Sequence, residues 1–206
     1  KLPQPDGVVG VAVSNLGDDP ERYRWGFLNK INREADDFSP IMNYCKLFSL
    51  SGTAFESALP QRMDLDVWLR GMAYGVLSGA GDNAAAGSQH NGMYYARPDG
   101  RVMFLPHDMD FSFDAARSIF ANGECNTLTN INLASPGTIA RRRLYFGHLQ
   151  DIITTTYNNA YMSIWTTHFA SLDATQDWAN ELSYMNSRSA NVLSQINAGI
   201  PSVAFA

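Results

Sequence analysis

Lysine is scarce in this chain: Lys1, Lys30 and Lys46 are its only lysines. The net charge is −5, and the one basic run is Arg141-Arg142-Arg143. Binding a nucleic-acid backbone requires clustered cations to neutralise phosphates, so a nucleic acid is excluded as the partner. The short arginine run is expected to be a solvated or capping cluster. Cysteine is nearly as rare. Cys45 and Cys125 do not form a metal motif; they can pair in an oxidising compartment or stay as buried thiols. No apolar run reaches the length of a membrane span. No signal peptide is visible and the chain starts at Lys1, so it reads as a mature or excised piece of something longer. There is no internal repeat, no Gly-x-Ser-x-Gly elbow, no His-Glu-x-x-His and no phosphate-binding P-loop. Charged residues make up 17% of the chain, below the roughly 25% of a typical globular protein. The surface must therefore be built largely from Asn, Ser, Thr, Gln and Gly.

Apolar residues are plentiful. A hydrophobic content of 45% and an aromatic content of 12% over 206 residues can build a core without disulfides, and residues 1–206 are read as one domain. The clearest pattern covers residues 64–78. Leu65, Trp68, Leu69, Met72 and Val76 recur at spacings of three and four, which places them on one helix face. Asp64 is the expected N-cap, and Gly79, Gly81 and Gly87 are expected to end the helix and open a flexible loop. Residues 93–97 and 101–105 flank Pro98-Asp99-Gly100, which predicts a β-hairpin. Further helices are expected near residues 43–50, along the stripe Leu144, Leu149, Ile152, Ile153 and Tyr157, and along Trp178, Leu182, Met185, Val192, Leu193 and Ile196. Asp173 with Gln176 resembles a capping box for the last of these. A strand is expected within residues 8–13.

The residues that point to chemistry follow the hairpin. From His107 to Asp114 the sequence alternates, with Asp108, Asp110, Ser112 and Asp114 on one side and Met109, Phe111 and Phe113 on the other. Read as a strand, it sets successive carboxylates roughly 7 Å apart. Such a row repels itself unless a cation neutralises it. Two carboxylates so placed can bracket a hydrated Mg²⁺ or hold different ions. An acidic edge strand that blocks aggregation has the same pattern. A calcium loop fits less well, because Phe111 and Phe113 stand where such a loop wants Gly or a polar ligand. The loop 79–91 carries Asp82, Asn83, His90 and Asn91 between a helix and the hairpin. Loops held by rigid elements often carry catalytic groups, although these residues are also ordinary turn formers. The order helix, Asp/Asn loop, hairpin and Asp at the exit of its second strand is the layout of a kinase active site.

These residues carry a family likeness. Met63-Asp64-Leu65-Asp66 opens the helix and Asp82 lies in the loop after it. His90-Asn91-Gly92-Met93-Tyr94-Tyr95 enters the hairpin, and Phe104-Leu105-Pro106-His107-Asp108-Met109-Asp110 leaves it. Together with residues 141–145 and Arg188, they resemble the spore-coat protein H (CotH) kinase-like family over roughly residues 60–200. His107 departs from the pattern, standing where the family often has an aromatic. The resemblance implies an α+β, atypical protein-kinase-like fold: a mostly helical large lobe with a β-hairpin carrying the acidic metal motif. It implies a Mg²⁺- (or Mn²⁺-) and ATP-dependent protein serine kinase. Asp82 would orient the acceptor hydroxyl, Asn91 and Asp108 would hold metal, and Asp110 would support them. No glycine-rich strand pair and no lysine for the nucleotide phosphates is recognised. The chain is therefore expected to be a fragment of a larger CotH-like domain lacking most of the small lobe. The alternative is a non-catalytic kinase-like module of a secreted or cell-surface bacterial protein, with neighbouring domains in a longer chain. A metal-dependent hydrolase or glycosyltransferase using the Asp-x-Asp pair is a third reading.

Overall fold

A computed structural model describes residues 13–81, 83, 91–113, 115–120, 128 and 137–199. Its elements are α1 (Glu21–Arg24), a 3₁₀ turn (Arg33–Ala35), α2 (Ser39–Leu47), α3 (Gly52–Arg62), α4 (Leu65–Ser78), β1 (Gly92–Ala96), β2 (Val102–Pro106), α5 (Thr138–Thr155), α6 (Asn159–Leu172) and α7 (Trp178–Gly199). The architecture is α+β, mostly helical, with one two-stranded antiparallel sheet.

Helix α4 is the axis of the fold. Trp68, Leu69, Met72, Ala73, Val76 and Leu77 are buried along it, and it packs against α5, α7 and β2. Gly79 ends it in the left-handed conformation at φ 69°, as the sequence indicates. Asp64 does not cap it. Its side chain makes no capping bond and instead forms a close ion pair with Arg97 at the hairpin turn.

Strand β2 runs beside α4 in the same direction, and three contacts fix this alignment. The Asp64 amide donates to the Val102 carbonyl at 3.0 Å. At mid-helix, a Cβ on Gly71 would lie 3.1 Å from Phe104 and 3.2 Å from Pro106, so glycine permits the close approach. At the helix end, the Phe113 amide donates to the Ser78 carbonyl at 2.6 Å. The helix spans about 21 Å at 1.5 Å per residue, and the strand and its exit segment follow it along that length.

Elsewhere, sequence expectation and structure part in places. The arginine run is not a solvated cluster. Arg141 is 4% exposed and Arg142 8%. They occupy the buried stripe of α5 with Tyr145, Phe146 and Leu149, while Leu144, expected on that stripe, is 38% exposed. The last helix is capped by Asp177, whose carboxylate accepts from the Asn180 amide at 3.0 Å, and not by Asp173. Asp173 accepts from Thr175 in a local turn. Helix α6 is an element that the sequence reading omits. It begins at Asn158, whose side chain accepts from the Tyr161 amide. Cys45 is buried on α2; Cys125 and all but Val13 of the strand expected at 8–13 lie outside the described residues. Among the described residues, no helix is long and apolar enough to cross a membrane.

Candidate metal centre

The hairpin register decides what meets what. Its last strand pair at the open end is Gly92 with Pro106. One step further, the His107 amide donates to the Asn91 carbonyl at 2.9 Å. Asn91 on the entering chain and Asp108 on the leaving chain therefore flank the same end of the sheet. Both are left-handed, at φ 53° and 54°. Asn and Asp are the side-chain-bearing residues that tolerate this conformation best. Asp108 and Asp110 are exposed and Asn91 is half-buried.

Beyond Pro106 the chain is not a strand. Residues 107–113 form bends and a turn, and Phe113 is left-handed at φ 62°. The alternation of acids and aromatics thus does not sort them onto two faces: Phe111 is 57% exposed, while Phe113 packs edge-on against Tyr184. The physical reason is that the backbone bonds here run to the end of α4 rather than to a neighbouring strand. Phe113 donates to Ser78, and Gly81 donates to the Phe111 carbonyl at 3.1 Å. The side-chain amide of Asn83, a residue only 2% exposed, donates to the Met109 sulfur at 3.7 Å. The loop after α4 thus docks at two described positions, Asn83 on Met109 and Gly81 on Phe111, on either side of Asp110. Asp82, between Gly81 and Asn83 in sequence, lies outside the described residues, as do Gly87, His90 and Asp114.

Several acids among the described residues already have a base. Asp18 pairs with Lys46, Glu56 with Arg141, Asp64 with Arg97, Asp99 with Arg97 and Arg101, and Asp151 with Arg70. Among the described residues, no Lys, Arg or His forms an ion pair with Asp108 or Asp110. No group of three or more His, Cys, Asp and Glu side chains is gathered into a metal cluster there either. The donors at hand are the oxygens of Asn91, Asp108 and Asp110, a set that suits a hard cation completed by ligand and water oxygens. His107 is exposed beside them. His148, by contrast, bonds to Asp66 at 2.9 Å and bridges α5 and α4.

The model of the family described as CotH kinase protein matches residues 12–188. That span covers most of the chain and includes both arms of the hairpin and the loop before it. The chain belongs to the CotH kinase protein family. It is therefore a kinase-like protein by descent, and the mostly helical body and hairpin of the described residues agree with that membership. No curated protein matches the sequence.

Two residues of α7 support the acidic segment of this CotH-family chain: Arg188, already part of the family likeness, and Tyr184, which is not. Arg188 of α7, 2% exposed, donates to the Val76 carbonyl at 3.0 and 3.2 Å and closely to the Arg117 carbonyl. Burial lowers its pKa from the usual arginine value, as expected where a charge leaves water. Tyr184, one turn earlier, donates to the Ala115 carbonyl at 2.9 Å. The signal in the sequence is an arginine set between Met185 and Val192 on an apolar helical stripe.

Proposed function

We propose that this chain acts as a Mg²⁺- or Mn²⁺- and ATP-dependent protein serine kinase of the CotH type, carrying the large-lobe part of that chemistry. The observation that carries the proposal is the juxtaposition of Asn91 and Asp108 at the open end of the hairpin, in a member of a kinase family. The exposure of Asp108 and Asp110, and their lack of ion pairs among the described residues, support the same assignment. Asn91 and Asp108 hold the cation, and Asp110 supports them. When bound, the cation neutralises charge on the phosphates during transfer. Asp82 orients the acceptor hydroxyl; its sequence neighbours Gly81 and Asn83 both dock on the acidic segment. Phosphoryl transfer asks mainly for positioning and charge neutralisation, and a segment whose backbone is tied to the end of a buried helix suits that demand. The acceptor is a protein, and the setting is a secreted or cell-surface bacterial protein with neighbouring domains.

The test is a calorimetric titration of Mn²⁺ and Mg²⁺, with and without ATP, into this chain and into Asp108→Ala. Metal binding that strengthens with ATP and vanishes in the variant is the expected result. Binding that survives the substitution unchanged overturns the assignment of Asp108. A second reading, a non-catalytic kinase-like module, is favoured by the outer face of α6. That helix carries no Lys, Arg, Asp or Glu, and its Ile164 and Leu172 are 67% and 72% exposed. This second reading expects no metal or nucleotide binding in the same titration.

A further inference from the structure

We infer that Tyr184 and Arg188 are positioning residues for the metal segment: helix α7 clamps residues 108–113 against the end of α4, and metal affinity depends on the clamp. The inference rests on Asp108 being a metal ligand, as proposed above.

Tyr184 and Arg188 are four residues apart on α7, so their side chains share one helix face. Both reach backbone carbonyls of the chain just past the acidic segment. Tyr184 takes Ala115 at 2.9 Å, and Arg188 takes Arg117. Arg188 also takes Val76 at the end of α4, so one guanidinium joins the two chains. Arg117 returns the link, donating from Nε to the Gly79 carbonyl at 3.3 Å. On the other side, Phe113 and Gly81 tie the acidic segment to the same helix end. The segment is thus fixed before and after Phe113.

Two features show that the fit is tight. A Cβ on Gly79 would stand 2.1 Å from the Tyr184 hydroxyl and 2.3 Å from the Ala115 carbonyl. Only glycine leaves room for that hydrogen bond. Phe113 is held at φ 62°, an unfavourable conformation for a bulky residue, with its ring edge-on to Tyr184 at 5.7 Å. Such a conformation persists where the surroundings over-determine it, and the clamp supplies that constraint.

Asp108 and Asp110 are exposed side chains on an irregular segment, and no hydrogen bond or ion pair among the described residues fixes their direction. Their geometry is therefore set by the backbone beneath them, and the backbone is held by α7. Groups that hydrogen-bond metal ligands directly change affinity by about 10- to 100-fold; Tyr184 and Arg188 act one step further out, through the backbone, so the low end of that range is the upper bound.

The test compares Tyr184→Phe with Tyr157→Phe. The Tyr157 hydroxyl donates to the Leu77 carbonyl at 2.6 Å, at the same helix end but off the acidic segment. Mn²⁺ affinity of both variants and of the unaltered chain is read by calorimetry, and backbone amide exchange at Gly81 and Phe113 by NMR without metal. We expect Tyr184→Phe to weaken Mn²⁺ binding by up to about tenfold, the low end for groups bonded to the ligands directly. Exchange at Gly81 and Phe113 should quicken in that variant, and Tyr157→Phe should change neither. Unaltered Mn²⁺ affinity in Tyr184→Phe overturns the inference. So does an equal loss in both variants, which would mark general loosening. If the unaltered chain binds no Mn²⁺, the metal assignment fails separately, and the exchange data alone decide the clamp. Faster exchange confined to Tyr184→Phe then upholds it, and unchanged exchange overturns it.

Discussion

Glu56 on α3 and Arg141 on α5 meet at 2.7 Å, with the arginine side chain 4% exposed. The guanidinium also donates to the Leu128 carbonyl at 2.8 Å and the Thr138 hydroxyl at 3.1 Å, and lies 5.3 Å from the centre of the Phe55 ring. Removing the carboxylate would leave a buried charge short of its counter-ion. Glu56→Ala should therefore destabilise the chain by about 3 kcal/mol, as for other broken buried pairs. Urea unfolding would show the loss as a lower midpoint with an unchanged slope.

At Asp108 the backbone and the carboxylate can be separated. Its left-handed φ of 54° suits glycine better than alanine. Asp108→Gly should leave stability unchanged or slightly raised, while Asp108→Ala should cost about 1 kcal/mol for the unfavourable conformation. Both should abolish Mn²⁺ binding equally. Thermal melts and metal titrations on the pair distinguish loss of a ligand from loss of fold; a difference in metal binding that follows stability would contradict a ligand role.

Gly79 and Gly100 offer a matched comparison. Both have positive φ, 69° and 84°, but a Cβ on Gly100 meets nothing within 4 Å. Gly100→Ala should cost only the backbone term, about 1 kcal/mol. Gly79→Ala must also displace Tyr184 and Ala115, and should cost at least about 2 kcal/mol in all. Equal midpoints in chemical unfolding would show that the Tyr184 contact contributes little.

The Glu181 carboxyl is pushed above the usual glutamate range, first by burial and then by the nearby Asp177 charge, although Gln176 opposes the shift. One carboxyl oxygen is buried with no hydrogen-bond partner. A raised acid favours folding in its protonated form, so that contribution is complete below the ordinary value of about 4.3 and is lost as pH rises through the folded value. Glu181→Gln stays neutral throughout. Its melting temperature should exceed that of the unaltered chain at pH 7 and converge with it near pH 4. A constant offset across that range would contradict the assignment.

The parts of the fold legible in the sequence are those governed by local rules. The 3.6-residue stripe of α4, its Gly79 stop and the turn at Pro98-Asp99-Gly100 appear as read. The family likeness carried by the Asn91 and Asp108 segments is likewise matched over residues 12–188. Where structure departs from sequence pattern, distant partners decide. Alternation over 107–113 suggested a strand, but its hydrogen bonds go to Ser78 and Gly81. The arginine run suggested solvent, but Glu56 lies 85 residues before Arg141 in the sequence. Helix α6 has a regular apolar stripe in Tyr161, Ile164, Trp165, Phe169 and Leu172, yet that stripe faces outward, so periodicity alone does not reveal burial.

Because β2 is matched to α4 at Val102 and Phe104, and its exit segment at Phe113, the helix serves as a ruler for the acidic segment. The turn at residues 98–100 lies beyond the first of those marks. A longer turn would bulge into solvent and leave Asp108 where it is. Adding one residue within α4 would swing its far end by about 100° and carry Ser78 and Gly79 off the mark. Variation in length is therefore tolerable at the hairpin tip and ruinous inside the helix, although the helix itself contributes none of the proposed ligands.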